Sequence, residues 1–191
     1  MIKRTIYFII IAMVFASCFC KKLNFDNDET FWTDVYDTGD TLIFQSNDNI
    51  TKKDTIIILA KKVFTPTGDC NAMVSQYDPE GCVIDYKYKH EGKESDFDYF
   101  VQHFKHPDGL SLPVLRVYGT EFSGLEALED TTIITKRYGK LNDCFTFHSH
   151  NSYNGFSEFK LKTFVWNKEL GLVMFEGINK EKYELYKKVE K

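Results

Sequence analysis

The 191-residue chain has only four prolines and five histidines, and no block of basic residues stands out anywhere along it. Few prolines and no long Ser/Gly run leave little room for extended linker sequence. With 28 acidic against 24 basic residues and no basic cluster, a nucleic-acid partner is not expected. The short patterns that mark common enzymes are missing as well. There is no G-x-S-x-G, H-E-x-x-H, phosphate-binding loop, dinucleotide fingerprint or C-x-x-C. No cofactor is implied, and the reading is non-enzymatic. Helical periodicity is weak throughout. The uncharged run Thr5–Cys20 has 16 residues. That is short for a spanning helix, which needs about 20 to cross roughly 30 Å of hydrocarbon.

That run has the layout of a secretory signal. Lys3 and Arg4 precede it, and the small residues Ala16 and Ser17 close it just before Cys18. Phe15 at the −3 position suits an ordinary signal peptidase poorly. "FASC", Phe15-Ala16-Ser17-Cys18, resembles the lipobox of bacterial lipoproteins, usually Leu-Ala-Ser/Gly-Cys, with Phe15 in place of Leu. The resemblance implies a signal peptide over residues 1–17, lipidation of the Cys18 thiol, cleavage before it and acylation of the new amine. Cys20 fits less well, since Phe19 precedes it. At about 0.8 kcal/mol per buried CH₂, three palmitate-like chains would hold the protein on the membrane. In such families an Asp after the cysteine retains the protein in the inner membrane. Phe19 stands there instead, which points to the outer membrane of a Gram-negative envelope.

Loss of Lys3 and Arg4 with the signal would take the net charge from −4 to −6. Residues 18–30, polar and without period, read as a flexible tether to a single domain over 31–191. Asp26 and Asp28 lack the glycine and distal glutamate of a calcium loop.

The domain reads as strands. Its chain is rich in Phe (17) and Tyr (11), which favour strands. Turn clusters recur at short intervals: "YDTGD" before "TLIFQS", "NDN" before "DTIIILAKKVF", "DPEG" before "CVIDYKYKH", and "HPDG" between "FDYFVQHFK" and "LSLPVLRVYG". Later strands are "TTIITKRYG", "DCFTFHSH", "FSEFKLKTFVWN", "LVMFEG" and "KYELYKKV". In "FSEFKLKTFVWN", alternation puts Phe159, Leu161 and Val165 on one face, with Phe164 and Trp166 joining the polar one. The expected fold is mainly β, an antiparallel sandwich or open barrel of about 9–11 strands. Its one short helix candidate is "GLEALED" (124–130). Lys61, Lys62, Lys187 and Lys188 are candidates for protecting sheet edges, and Pro113 suggests an edge or bulge.

"YDTGDTLIFQSNDNITKKDTIIIL", "RYGKLNDCFTF" and "FVWNKELGLVMFE" resemble strand pairs of small lipoproteins of Bacteroidetes-type envelopes. The resemblance spans residues 31–189 and brings no catalytic residues. A similar strand–Gly–strand ending occurs in open-barrel lipoprotein carriers, so a hydrophobic ligand in a barrel-like cavity is an alternative to a module binding protein or glycan.

If Cys18 carries lipid, Cys20, Cys70, Cys82 and Cys144 remain. Cys70 and Cys82 flank "YDPEG" and are the favoured bridge, although four cysteines allow three pairings; Cys144 is then a free, buried thiol. His148 and His150 would share one face of a strand, which makes them weak metal candidates needing His90, His103 or His106 to converge. Ser149 and Ser152 lie near them as nucleophile candidates for a hydrolase. "DTL", "DTI" and "DTT" (40–42, 54–56, 130–132) match a short O-glycosylation signal and equally match ordinary turn chemistry at strand starts.

Overall fold

The computed structural model describes residues 20–68, 77–90, 92–109, 111–123, 129–148 and 160–191. Strands take 62% of it and helix 3%, which settles the class as mainly β. In chain order the elements are β1 (Lys21–Leu23), α1 (Phe31–Asp34), β2 (Thr41–Ser46), β3 (Lys53–Phe64), β4 (Tyr77–Pro79), β5 (Gly81–His90) and β6 (Lys93–Phe104). There follow β7 (Val114–Val117), β8 (Thr120–Ser123), β9 (Glu129–Thr135), β10 (Gly139–His148), β11 (Leu161–Asn167), β12 (Gly171–Gly177) and β13 (Lys182–Val189).

Eleven strands form one antiparallel sheet in the order β8-β7-β6-β5-β3-β2-β13-β12-β11-β10-β9. Apart from β3 and β5, between which the chain makes β4 of a separate two-stranded sheet, every neighbour but one follows directly along the chain. The exception, β13 on β2 (Tyr183 opposite Ser46, Val189 opposite Thr41), joins two meanders at the centre of the sheet. The edges β8 and β9 are consecutive in the chain. Six residue steps from Ser123 to Glu129 reach at most about 21 Å. Eleven flat strands would hold those edges roughly 48 Å apart at 4.8 Å spacing. The sheet therefore has to curl, and it does, into a half-barrel. Phe122 of β8 meets Phe164 of β11 across the interior at 4.6 Å, and the Thr120 hydroxyl accepts the Leu161 N–H at 3.4 Å.

Bulges give the curl its shape by adding a residue and bending the strand. One between Leu161 and Thr163 shifts the alternation of β11, so Phe164 and Trp166 turn inward rather than to the polar face expected from strict alternation. Another, between Leu141 and Cys144, bends the β9–β10 hairpin. Its tip reaches β13 and the β2–β3 turn: the Lys136 N–H donates to Glu184 at 2.8 Å, Lys136 Nζ to Asn47 O at 3.2 Å, and the Arg137 guanidinium lies 5.6 Å from the Tyr186 ring.

The concave side is filled by side chains. Trp166 packs on Trp32, Tyr36 and Phe100 at 5.6–5.9 Å. Phe164 stacks on Phe147 at 4.4 Å, and Phe175 meets Phe44, Tyr118 and Tyr183 at 5.0–5.1 Å. All of these rings are at most 3% exposed. The rings thus touch in series through the interior, each burying roughly 150–250 Å².

Several expectations need correction. Lys61 and Lys62 lie on β3 and Lys187 and Lys188 on β13, not on the outermost strands β8 and β9, and each sits on a stretch paired with one neighbouring strand only. Lys61 and Lys62 pair with Asp34 and Asp85. Of the expected helix 124–130, residues 124–128 lie outside the described residues, and Glu129 and Asp130 open β9. Described residues of the expected tether touch the body at several points, although Lys21, Lys22, Asn24, Asp26, Asn27 and Asp28 are exposed. β1 runs parallel to β4 with Lys21 opposite Tyr77, Leu23 is buried, and Phe25 stacks on His103 at 4.4 Å. Lys105 Nζ reaches Asp26 at 2.8 Å and Glu29 at 2.6 Å. Aromatic stacking and a nearly buried ammonium offset the ordering entropy that polar composition alone could not.

Candidate functional site

The strands β3, β5 and β6 extend past the ends of β2 and β13. Thr41, the first residue of β2, pairs with Ile57, and β3 continues for seven more residues to Phe64. That is about 23 Å at 3.3 Å per residue. α1 packs in the corner this leaves, and next to it opens a recess of about 890 Å³. It is charged and open. Asp34, Asp37, Glu169, Glu190, Lys168 and Lys191 border it, over an aromatic patch that includes Phe31.

The recess is positioned by the aromatic core. Phe31, Trp32, Val35 and Tyr36 have helical spacing, and Trp32 and Tyr36 insert between β-strands while Phe31 stays half-buried at the recess. The Tyr36 hydroxyl accepts the Leu172 N–H at 2.7 Å and donates to Leu170 O at 3.5 Å, which ties the segment to the β11–β12 turn. Gly171 in that turn has φ +76, and a Cβ there would stand 2.1 Å from the Tyr36 oxygen, so glycine is required twice over. Burial pushes the Tyr36 hydroxyl far above the usual phenol range. Lys168 Nζ lies 5.3 Å from the Phe31 ring and 5.5 Å from the Phe145 ring, which stack at 5.6 Å. Lys188 is structural: it donates to Val35 O at 2.6 Å and faces Asp40 at 3.6 Å. Asp40, 2% exposed, also accepts the Asp37 N–H.

A second polar cluster sits within the aromatic core, near the start of β3. Asp54 is 1% exposed. His90 Nδ1 lies 2.7 Å from its Oδ2, and the Tyr118 hydroxyl donates to the same oxygen at 3.2 Å. Burial, then the Asp54 charge, pushes the Tyr118 hydroxyl well up. Tyr118 holds this place in a tight β7–β8 turn with φ +50, followed by Gly119 at φ +75. Phe175, Tyr88 and the His90 ring enclose it.

The histidines do not gather. His90 ends β5, whereas His103 pairs with Cys82 at the other end of that strand, eight residues and roughly 27 Å away. His106 is an exposed turn residue 3.4 Å from Asp108. His148 is exposed at the end of β10; His150, Ser149 and Ser152 lie outside the described residues. No group of three His, Cys, Asp or Glu among the described residues is placed to hold a metal.

One serine–histidine contact exists that no motif marks. Ser111 Oγ is 2.9 Å from His103 Nε2, but its proton goes to Phe104 O at 2.8 Å. Nε2 is also 3.2 Å from Ser111 O, a pure acceptor, so Nε2 carries the hydrogen. This arrangement pins the β6–β7 loop and cannot take a proton from the hydroxyl. Burial lowers the His103 pKa, which keeps the ring neutral.

Cys82 and Cys144 are free, buried thiols. The Cys144 expectation holds. The Cys70–Cys82 bridge does not: Cys82 turns inward beside α1, away from solvent, where burial raises its pKa. Cys20 is disulfide-bonded, with a partner outside the described residues. Cys18 and Cys70 also lie outside them. No helix among the described residues is long and apolar enough to cross a membrane.

No protein-family model matches the chain, and neither a curated protein nor a solved structure does.

Proposed function

We propose that the protein is a non-catalytic binding module of the cell envelope, attached to the outer membrane through lipid on Cys18, and that it engages a polar partner, protein or glycan, at the recess beside α1. One observation carries this reading: the half-barrel interior is occupied by its own aromatic rings, while the sizeable recess is open and bordered by carboxylates and ammonium groups. Apolar ligand sites are concave and lined mostly by apolar side chains, and this recess is not. Mixed charge over an aromatic patch suits a partner that presents hydroxyls, amides and charges together.

The test compares two titrations of the purified protein. With the apolar dye 1-N-phenylnaphthylamine, no saturable fluorescence rise is expected. With a panel of charged oligosaccharides and peptides, any binding found is expected to weaken in Phe31→Ala and Lys168→Glu, whose unfolding transitions stay close to wild type. Saturable dye binding would replace this reading with that of a carrier.

A further inference from the structure

The docked start of the chain has a consequence for how the protein stands on a membrane. Cys20 is held by its disulfide and by β1, which pairs with β4. Cys18 is two residues away, a reach of at most about 7 Å. An anchor there would stay within that reach of Cys20, close to the end of the β3–β5–β6 extension.

That tip differs from the rest of the surface. Val63 and Phe64 are 60% and 46% exposed, and Tyr77 is 38% exposed. Phe64 pairs with Gly81 and its ring lies 5.6 Å from Phe104, which crosses the bare face of that glycine. Lys21 and Lys22, both exposed, sit in β1 opposite Tyr77 and Asp78. Lys22 runs alongside Gly68, four residues beyond Phe64. Acids lie alongside as well: Asp78 accepts the Gly68 N–H, Glu80 accepts the Phe25 N–H, and Asp26 and Glu29 hold Lys105. Exposed aromatic and aliphatic side chains beside two lysines, next to the proposed acyl site, have the composition of a surface that rests in lipid headgroups.

We infer that the face formed by Lys21, Lys22, Val63, Phe64 and Tyr77 lies against the bilayer. The occupant of this face is the membrane surface itself. Each lysine near an anionic leaflet strengthens contact about fivefold, from roughly 1 kcal/mol apiece. This inference rests on lipid attachment at Cys18.

The experiment uses acylated full-length protein, purified from membranes and reconstituted into vesicles of phosphatidylethanolamine and phosphatidylglycerol with brominated acyl chains. Tryptophan is introduced singly by Phe64→Trp, by Tyr77→Trp as a second reporter of the tip, and by Ile178→Trp in the β12–β13 turn at the far end. The added emission of Phe64→Trp and Tyr77→Trp should be lost on brominated vesicles, and that of Ile178→Trp retained. If the vesicles float with protein bound but no reporter is quenched, or only Ile178→Trp is, the inference is overturned and the anchor stands. If acylation is absent and nothing floats with the vesicles, the anchor reading fails and takes this one with it.

Discussion

Replacing Tyr36 with Phe removes one oxygen from the joint between the α1 segment and the barrel. The ring and its contacts with Phe100 and Trp166 remain. What is lost is the acceptor of the Leu172 N–H, a 2.7 Å bond to a residue that is fully buried. No water can take its place without opening the Tyr36–Gly171 contact. A buried donor stripped of its acceptor costs about 1–3 kcal/mol. For a domain of this size that corresponds to a fall in Tm of roughly 2–12 °C. Urea unfolding should show a lower midpoint with an unchanged slope, because the surface exposed on unfolding is the same. The Leu172 amide should lose hydrogen-exchange protection more than its β12 neighbours do. Tyr36→Ala should cost about 3–5 kcal/mol, through the cavity it leaves. A Tyr36→Phe protein within about 0.5 kcal/mol of wild type would refute the reasoning. It would mean that α1 is not fastened to the β11–β12 turn, and the recess would lose its fixed wall.

Two further predictions concern buried titratable groups. Asp54→Ala strips His90 and Tyr118 of their shared partner inside the aromatic core and should destabilise by about 3–5 kcal/mol; an effect below 1 kcal/mol in urea unfolding would show that the pair is solvated. His103 has its pKa lowered by burial, so the unfolded chain binds the proton more readily than the folded one. Its contribution is complete above the ordinary histidine pKa of 6.5 and lost as pH falls toward the folded value, with a slope of at most about 1.4 kcal/mol per pH unit. His103→Gln should therefore lose less stability than wild type between pH 7 and pH 5, and parallel curves for the two proteins would contradict this.

The β architecture was legible because its signals are local. Turn chemistry at "DPEG" and "HPDG", and β-branched and aromatic runs such as "DTIIILAKKVF", mark hairpins without knowledge of the rest of the chain. Curvature was not legible, since it depends on bulges that alternation alone does not reveal. The one at Leu161–Thr163 reversed the expected facing of Phe164 and Trp166. The pairing of β13 with β2 joins residues about 140 apart in sequence, beyond the reach of local signals. The docked N-terminal segment was hidden by its polar composition, although Phe31, Trp32, Val35 and Tyr36 at helical spacing were a usable sign of an element packing on the core. The recess could not have been read from sequence. Its walls come from α1, the β11–β12 turn and the chain end, which only the curl of the sheet brings together. The thiol pairing was equally out of reach, because the inward turn of Cys82 depends on the register of β5.

The central claim is that this half-barrel is solid, holding its own rings where a carrier would hold a ligand, and that its grip on the membrane is covalent lipid. Mass spectrometry of the protein extracted from its membrane in mild detergent tests both parts in one sample, under native and then denaturing conditions. The account predicts the same mass in both, that of a chain beginning at Cys18 with fatty-acyl groups attached. An apolar molecule of several hundred daltons released only on denaturation, or an unprocessed and unacylated chain, would contradict it.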